Sequence, residues 1–104
     1  MTVWSIIAAR ASRRKYLRAD LFAEPYWDML LDLYAARLKG RRVAVTSLCI
    51  ASNVPSTTAL RHIADMVDKG EIIRSADPVD RRRAFVRLSD ETFARITDWI
   101  SSIA

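Results

Sequence analysis

The sequence predicts a mainly helical domain carrying one small β-hairpin, and three observations support that prediction. Apolar residues recur at helical spacing between Pro25 and Gly40 and again between Pro55 and Gly70, each run opened by a proline and closed by a glycine. Two short strand-like runs, Glu71 to Ser75 and Ala84 to Leu88, flank the polar stretch DPVDRRR. The composition is 51% apolar with only two glycines and three prolines in 104 residues, which fits an ordered chain around one core.

Each element has a local cause. Residues 1 to 19 mix Val3, Trp4, Ile6 and Ile7 with Arg10, Arg13, Arg14, Lys15 and Arg18, a pattern compatible with one amphipathic helix. Its apolar end needs cover, from the domain's own core or from the same segment of a second chain. From Pro25, the stripe Trp27, Leu30, Leu31, Tyr34 and Leu38 is expected to face the core, with Tyr26, Met29 and Leu33 as a second apolar strip. Val43 to Val45 is β-prone, after which Thr46 or Ser47 is expected to cap a short helix ending near Ser52, with Leu48, Ile50, Ala51 and Cys49 packed inside. Asn53 and Val54 make a tight turn. The next helix runs to about Lys69, with Leu60, Ile63, Ala64 and Val67 as its buried side. That phase leaves Thr57, Thr58, Arg61 and His62 outward, and Asp65 further along the same side. The last helix, roughly Glu91 to Ile103, carries Phe93, Ile96, Ile100 and Ile103 on one stripe with Trp99 beside it.

Two short helices with a tight turn, followed by a hairpin with an arginine-rich tip, make a winged helix-turn-helix. A single domain is expected, with an N-terminal extension over 1–23, the helix-turn-helix and wing over 24–89, and a C-terminal helix over 90–104. A formal charge of +5 and a pI near 10.0 favour an anionic partner. Arg81, Arg82 and Arg83 cannot be buried together without partners, whereas on a projecting loop they suit phosphate or a narrow minor groove. Hydroxyls on Ser56, Thr57 and Thr58 can bond phosphates or bases, and Arg61 can hold guanine bidentately. Arg41 and Arg42, just before the helix-turn-helix, are placed to meet the DNA backbone.

Other chemistries find little support. A single cysteine, Cys49, excludes a disulfide framework within the chain and a cysteine-rich zinc site, and a single histidine excludes multi-histidine metal sites. There is no glycine-rich phosphate loop and no paired nucleophile and base, so neither catalysis nor a cofactor is expected. The apolar run Val3 to Ala9 is too short to span a bilayer, which leads to the expectation of a cytoplasmic, nucleoid-associated protein without membrane contact.

The wing pattern Asp77, Asp80, Arg82, Val86, Leu88 and Ser89, together with VPSTTALRHI from Val54 to Ile63, resembles MarR-type winged-helix transcription regulators over about Pro25 to Ser89. The resemblance implies that the wing arginine, Arg82, enters the DNA minor groove while Asp80 braces it. It also implies that Thr57, Thr58, Arg61 and His62 read the major groove, with Ser56 on phosphate. Family members dimerise through long terminal helices that also form a crevice for small acidic or phenolic effectors. This chain has shorter ends, so a homodimer through the terminal helices is carried over and an effector is not. The expected partner is double-stranded DNA; the alternative is a winged-helix module that binds protein rather than DNA.

Overall fold

The computed structural model describes residues 3–23 and 25–103; Glu24, where the central segment was expected to begin, lies outside them. Helix α1 (Val3–Ser12) is followed by two 3-10 turns (Arg13–Lys15 and Ala19–Phe22), then by α2 (Tyr26–Leu38), β1 (Val43–Ala44), α3 (Val45–Ala51), α4 (Ser56–Asp68), β2 (Ile72–Ala76), β3 (Ala84–Leu88) and α5 (Asp90–Ile103). The three strands form an antiparallel sheet in the order β1-β3-β2, with Val43 opposite Val86 and Ile72 opposite Leu88. This is a winged helix: helices α2 to α4 followed by a sheet whose β2–β3 connection is the wing.

Both predicted glycine stops have the backbone that requires them. Gly40 (φ +67°) and Gly70 (φ +72°) lie in the left-handed region, which costs a residue with a Cβ. After α4, the Gly70 N–H bonds Val67 O and the Glu71 N–H bonds Met66 O; after α2, Gly40 and Arg41 bond Arg37 O and Ala36 O in the same way. These are Schellman motifs, in which the last carbonyls of the helix are satisfied as the chain turns away. Asn53 (φ +59°) supplies the third left-handed position, in the turn between α3 and α4.

The core gathers Leu21, Met29, Leu30, Leu33, Leu48, Ile63, Met66, Ile72, Leu88 and Ile96, all essentially sealed from water. Several expectations about helix phase need correction. In α2 the deeper strip is Met29, Leu30 and Leu33, while Leu31 and Leu38 are exposed, because the sheet and α3 pack on that side. Helix α3 begins at Val45, two or three residues earlier than expected, with Ala44 at its N-cap and no side-chain cap from Thr46 or Ser47. Its buried residues are Val45, Leu48 and Cys49; Ile50 is 82% exposed and Ala51 is also exposed. Burial pushes the Cys49 thiol up from its ordinary value, away from the reactive thiolate.

The N-terminal segment is not one helix. Helix α1 stops at Ser12, whose hydroxyl bonds Ala9 O. The chain then turns so that Arg13 lies over the rings of Phe22 and Trp27, at 4.4 and 4.8 Å. The Trp99 indole N–H meets both Ala9 O and Ser12 Oγ at 3.0 Å, fastening α5 to the end of α1. Trp27 and Trp99 therefore pack against each other inside the chain, at 5.4 Å between ring centroids, whereas Trp4 is 80% exposed.

Arg18 joins this segment to α4 and to the start of the sheet. Its guanidinium donates to both oxygens of Glu71 (2.8 and 3.0 Å) and to Asp65 Oδ2 (2.7 Å), while the Tyr26 hydroxyl also donates to Asp65 Oδ2 (2.9 Å). The bidentate contact with Glu71, opposed by partial burial, holds Arg18 well above its usual value. Asp65, read from the sequence as facing outward with the reading residues, instead turns inward to this cluster. Lys69, Tyr26 and Arg18 all bond its carboxylate and lower it to about 2.

A depressed carboxylate stabilises the fold above its unfolded value, about 3.9 for aspartate, and loses that contribution as pH falls through its folded value. Urea denaturation of the native chain and of Asp65→Asn, taken at steps of pH, should show a stability gap that is constant above about pH 5. The gap should close as pH falls from about 4 to about 2; a gap independent of pH would show that Asp65 is not ionically engaged.

Candidate nucleic-acid interface

Helix α4 has two clearly different sides. Ala59, Ile63 and Met66 are buried at i, i+4 and i+7, so the opposite side presents Thr57, Leu60, Arg61, Ala64 and Asp68. The helix is therefore turned from the phase expected of it. Leu60 (44% exposed) and Ala64, expected in the core, lie on the outward face with Arg61. Thr58 is only half-exposed, and Ser56 opens the helix immediately after Pro55.

His62 is the other correction on this helix: rather than pointing to solvent it is half-buried, with its ring edge-on to Tyr26 at 4.2 Å between centroids. Its Nδ1 atom is enclosed without a hydrogen-bond partner. Through Tyr26 it touches the Arg18 and Asp65 cluster, so one face of α4 is held by apolar packing and by this polar group together.

The wing is built by two aspartates with different tasks. Asp77 is buried, and its Oδ1 accepts from the backbone N–H groups of Val79 (2.8 Å) and Asp80 (3.3 Å), folding the chain back over Pro78. The turn is closed by Asp77 N–H to Arg83 O and Arg83 N–H to Asp80 O, both 3.0 Å. Asp80 faces the tip. Its Oδ1 accepts from the Arg82 backbone N–H (3.0 Å) and from Arg82 Nε (3.1 Å), and its Oδ2 accepts from Nη2 (3.3 Å). The Arg82 side chain, and then its backbone N–H, hold the Asp80 carboxyl below the usual aspartate value.

Arg82 keeps 91% of its side chain exposed despite this brace, so the contact orients the guanidinium without covering it. Arg81 and Arg83 are exposed beside it, and Val79 stands at the tip with 92% of its surface open. Arg41 and Arg42 are exposed in the turn before β1, where Arg42 lies 5.3 Å from the centre of the Phe85 ring. Among the described residues, Arg41, Arg42, Arg61, Arg81 and Arg83 form no ion pair with a carboxylate.

The basic group of the N-terminal segment does not act as one patch. Arg13 is spent on aromatic rings and Arg18 on carboxylates, which leaves Arg10, Arg14 and Lys15 exposed. Among the described residues, no cluster of potential ligands could hold a metal ion, and no helix is long and apolar enough to cross a membrane.

Solved structures with this arrangement of helices and wing include a transcriptional regulator from Thermotoga maritima, with 20% identity and a TM-score of 0.66. A mutant of MarR from E. coli complexed with operator DNA has 17% identity and a TM-score of 0.64. The fold is that of the MarR-type winged-helix regulators. MepR from S. aureus in its DNA-binding conformation superposes with a TM-score of 0.66 at 17% identity. The alignments cover 94% to 97% of this chain but only 66%, 67% and 73% of those three, so the chain spans roughly two thirds to three quarters of their length. No protein-family model matches the sequence, and no curated protein matches it.

The wing turn rests on the buried Asp77, so its loss should be felt locally. Asp77→Ala leaves the Val79 and Asp80 N–H groups without their acceptor, and should lower stability by about 1 kcal/mol in chemical denaturation. It should also raise amide exchange across 77–83 while leaving α4 protected; uniform loss of protection would show a global role instead.

Proposed function

We propose that the chain is a sequence-specific double-stranded DNA-binding transcription regulator, with α4 entering the major groove and the wing reaching the adjacent minor groove. The observation that carries this reading is the braced Arg82. A guanidinium held by its neighbour's carboxylate at the end of a hairpin, and still open to solvent, has little freedom left to lose on entering a groove of negative potential. The fold supports the same reading, since a mutant of MarR from E. coli that shares it is complexed with operator DNA.

On α4, Arg61 would hold guanine O6 and N7, and the Thr57 hydroxyl would contact bases or phosphate. Leu60 and Ala64, on the same outward side, would meet thymine methyl groups. Ser56 and the first N–H groups of the helix would take a phosphate. His62, with its ring against Tyr26, would support the helix more than read bases.

The second copy that such a regulator needs would meet the outer face of α1. Val3, Trp4, Ile6 and Ile7 are 68%, 80%, 41% and 52% exposed, and α1 has no buried residue of its own. Such a contiguous apolar strip marks an interaction surface. A homodimer built there would place two α4 helices on half-sites one turn of DNA apart, roughly 34 to 36 Å.

Duplex binding measured by anisotropy from 50 to 300 mM salt tests the groove contacts. With roughly six phosphate contacts the log–log slope should be near −5. Arg61→Ala should cost about 1 to 3 kcal/mol on the preferred site and relax selectivity there, while a wing change acting through phosphate, such as Arg81→Ala, weakens all sequences alike. A flat salt response would transfer the reading to a winged-helix module that binds protein. Light scattering tests the pairing: the native chain should run as a dimer, and Trp4→Asp with Ile7→Asp as a monomer. The double variant should lose more affinity for a two-half-site duplex than for a single half-site; equal losses would separate pairing from DNA binding.

A further inference from the structure

A cleft of about 500 Å³ opens between the C-terminal half of α2 and the base of the wing, beyond the α4 and wing-tip surfaces described above. Its floor is apolar, with Leu33, Val43 and the Phe85 ring, and its charged walls are Arg37, Arg41, Arg42 and Arg87 against the single carboxylate of Asp90. That carboxylate is already engaged, by Arg37 at 2.9 Å and by Arg87 at 4.0 Å. Arg37 is further held by Leu88 O and by the face of Phe93, so it is part of the wall's frame. Among the described residues, Arg41 and Arg42 form no ion pair with a carboxylate.

Phe85 gives this cleft a direction. The Arg42 guanidinium lies 5.3 Å from its ring centre, and Arg83, arriving from the wing, lies 5.6 Å from the same centre. Two cations from separate segments thus share one aromatic ring, each within the distance at which the ring's quadrupole attracts it. The ring attracts both without cancelling their charge: among the described residues no carboxylate forms an ion pair with either, and Asp80, which feels Arg83 at longer range, is already bonded to Arg82. The group that would complete the arrangement is an anion with several acceptor oxygens, bonded by planar guanidinium forks.

We propose that the wing base is a phosphate-binding site for the DNA backbone flanking the groove contacts, and that Phe85 is the positioning residue that presents Arg42 and Arg83 to it. This rests on the DNA-binding reading above and lengthens its footprint. The tip arginine enters a groove; the Phe85 pair grips the strand where it leaves. Arg41 lines the same cleft and adds charge at its rim. The contact carries no sequence information, so it sets affinity and register without changing which site is preferred.

The test measures anisotropy of labelled duplexes of increasing flank length across salt, with native protein, Arg42→Gln, Arg83→Gln, Phe85→Leu and Phe85→Tyr. Lengthening the flanks should raise native affinity severalfold, and the gain should vanish in Arg42→Gln and Arg83→Gln. Each of those two should reduce the salt slope by about 1, the share of one phosphate contact. Phe85→Leu should behave like the arginine variants and Phe85→Tyr like the native chain, since tyrosine keeps the ring; a thermal melt of each variant separates this from loss of fold. Arginine variants with native slopes and undiminished flank dependence would overturn the wing-base site while leaving the groove contacts standing. A native chain that binds no duplex at low salt would overturn both.

Discussion

The contact on which the rest of the molecule depends is the one made by Arg18. Among the described residues of the N-terminal segment it is the basic side chain that pairs with carboxylates across the fold, on the last turns of α4 and just before β2. Asp65 lies on α4 and Glu71 just before β2, so a single guanidinium fixes the end of the helix and the start of the sheet together. The Schellman turn at Gly70 lies between the two carboxylates. Charge, backbone and packing thus all constrain the angle at which α4 leaves and the wing begins. Fully buried ion pairs often stabilise little because desolvation offsets attraction, but here both carboxylates are only partly covered and the geometry is bidentate.

That constraint also explains what could be read from the chain and what could not. The order of elements was legible because its punctuation is local: Pro25 and Pro55 at helix starts, Gly40 and Gly70 at positive φ, and an aspartate-rich turn between two strand-like runs. The wing was legible in detail for the same reason, since Asp77, Asp80 and Arg82 interact within a few residues of one another. The phase of each helix was not, because it is set by partners far away in sequence. In α4, the runs Leu60–Ile63–Ala64–Val67 and Ala59–Ile63–Met66 both fit a 3.6-residue period, and the position of α3 and the sheet selects the second. Met66 was the available signal, being the largest apolar side chain left out of the first choice.

The charged residues carry the same lesson. Periodicity placed His62 and Asp65 on the solvent side because polar residues default to water. Both are drawn inward by Tyr26, a residue thirty-six to thirty-nine positions away, and in Asp65's case by Arg18 as well. The Phe85 platform was hidden for the complementary reason: Arg42 and Arg83 are ordinary surface arginines in the sequence, and only the antiparallel pairing of β1 with β3 brings the turn before β1 to the same ring as the wing.

The sequestered thiol of Cys49 has a use that its chemistry alone does not suggest. It is the chain's single sulfhydryl, it lies on the inner face of α3, and it is 7% exposed, one turn before the left-handed residue that leads into α4. A small alkylating reagent can reach it only when α3 lifts from the core. Its labelling rate is therefore a built-in clock for how often the helix-turn-helix breathes, readable in the native chain with no other cysteine to confuse the count.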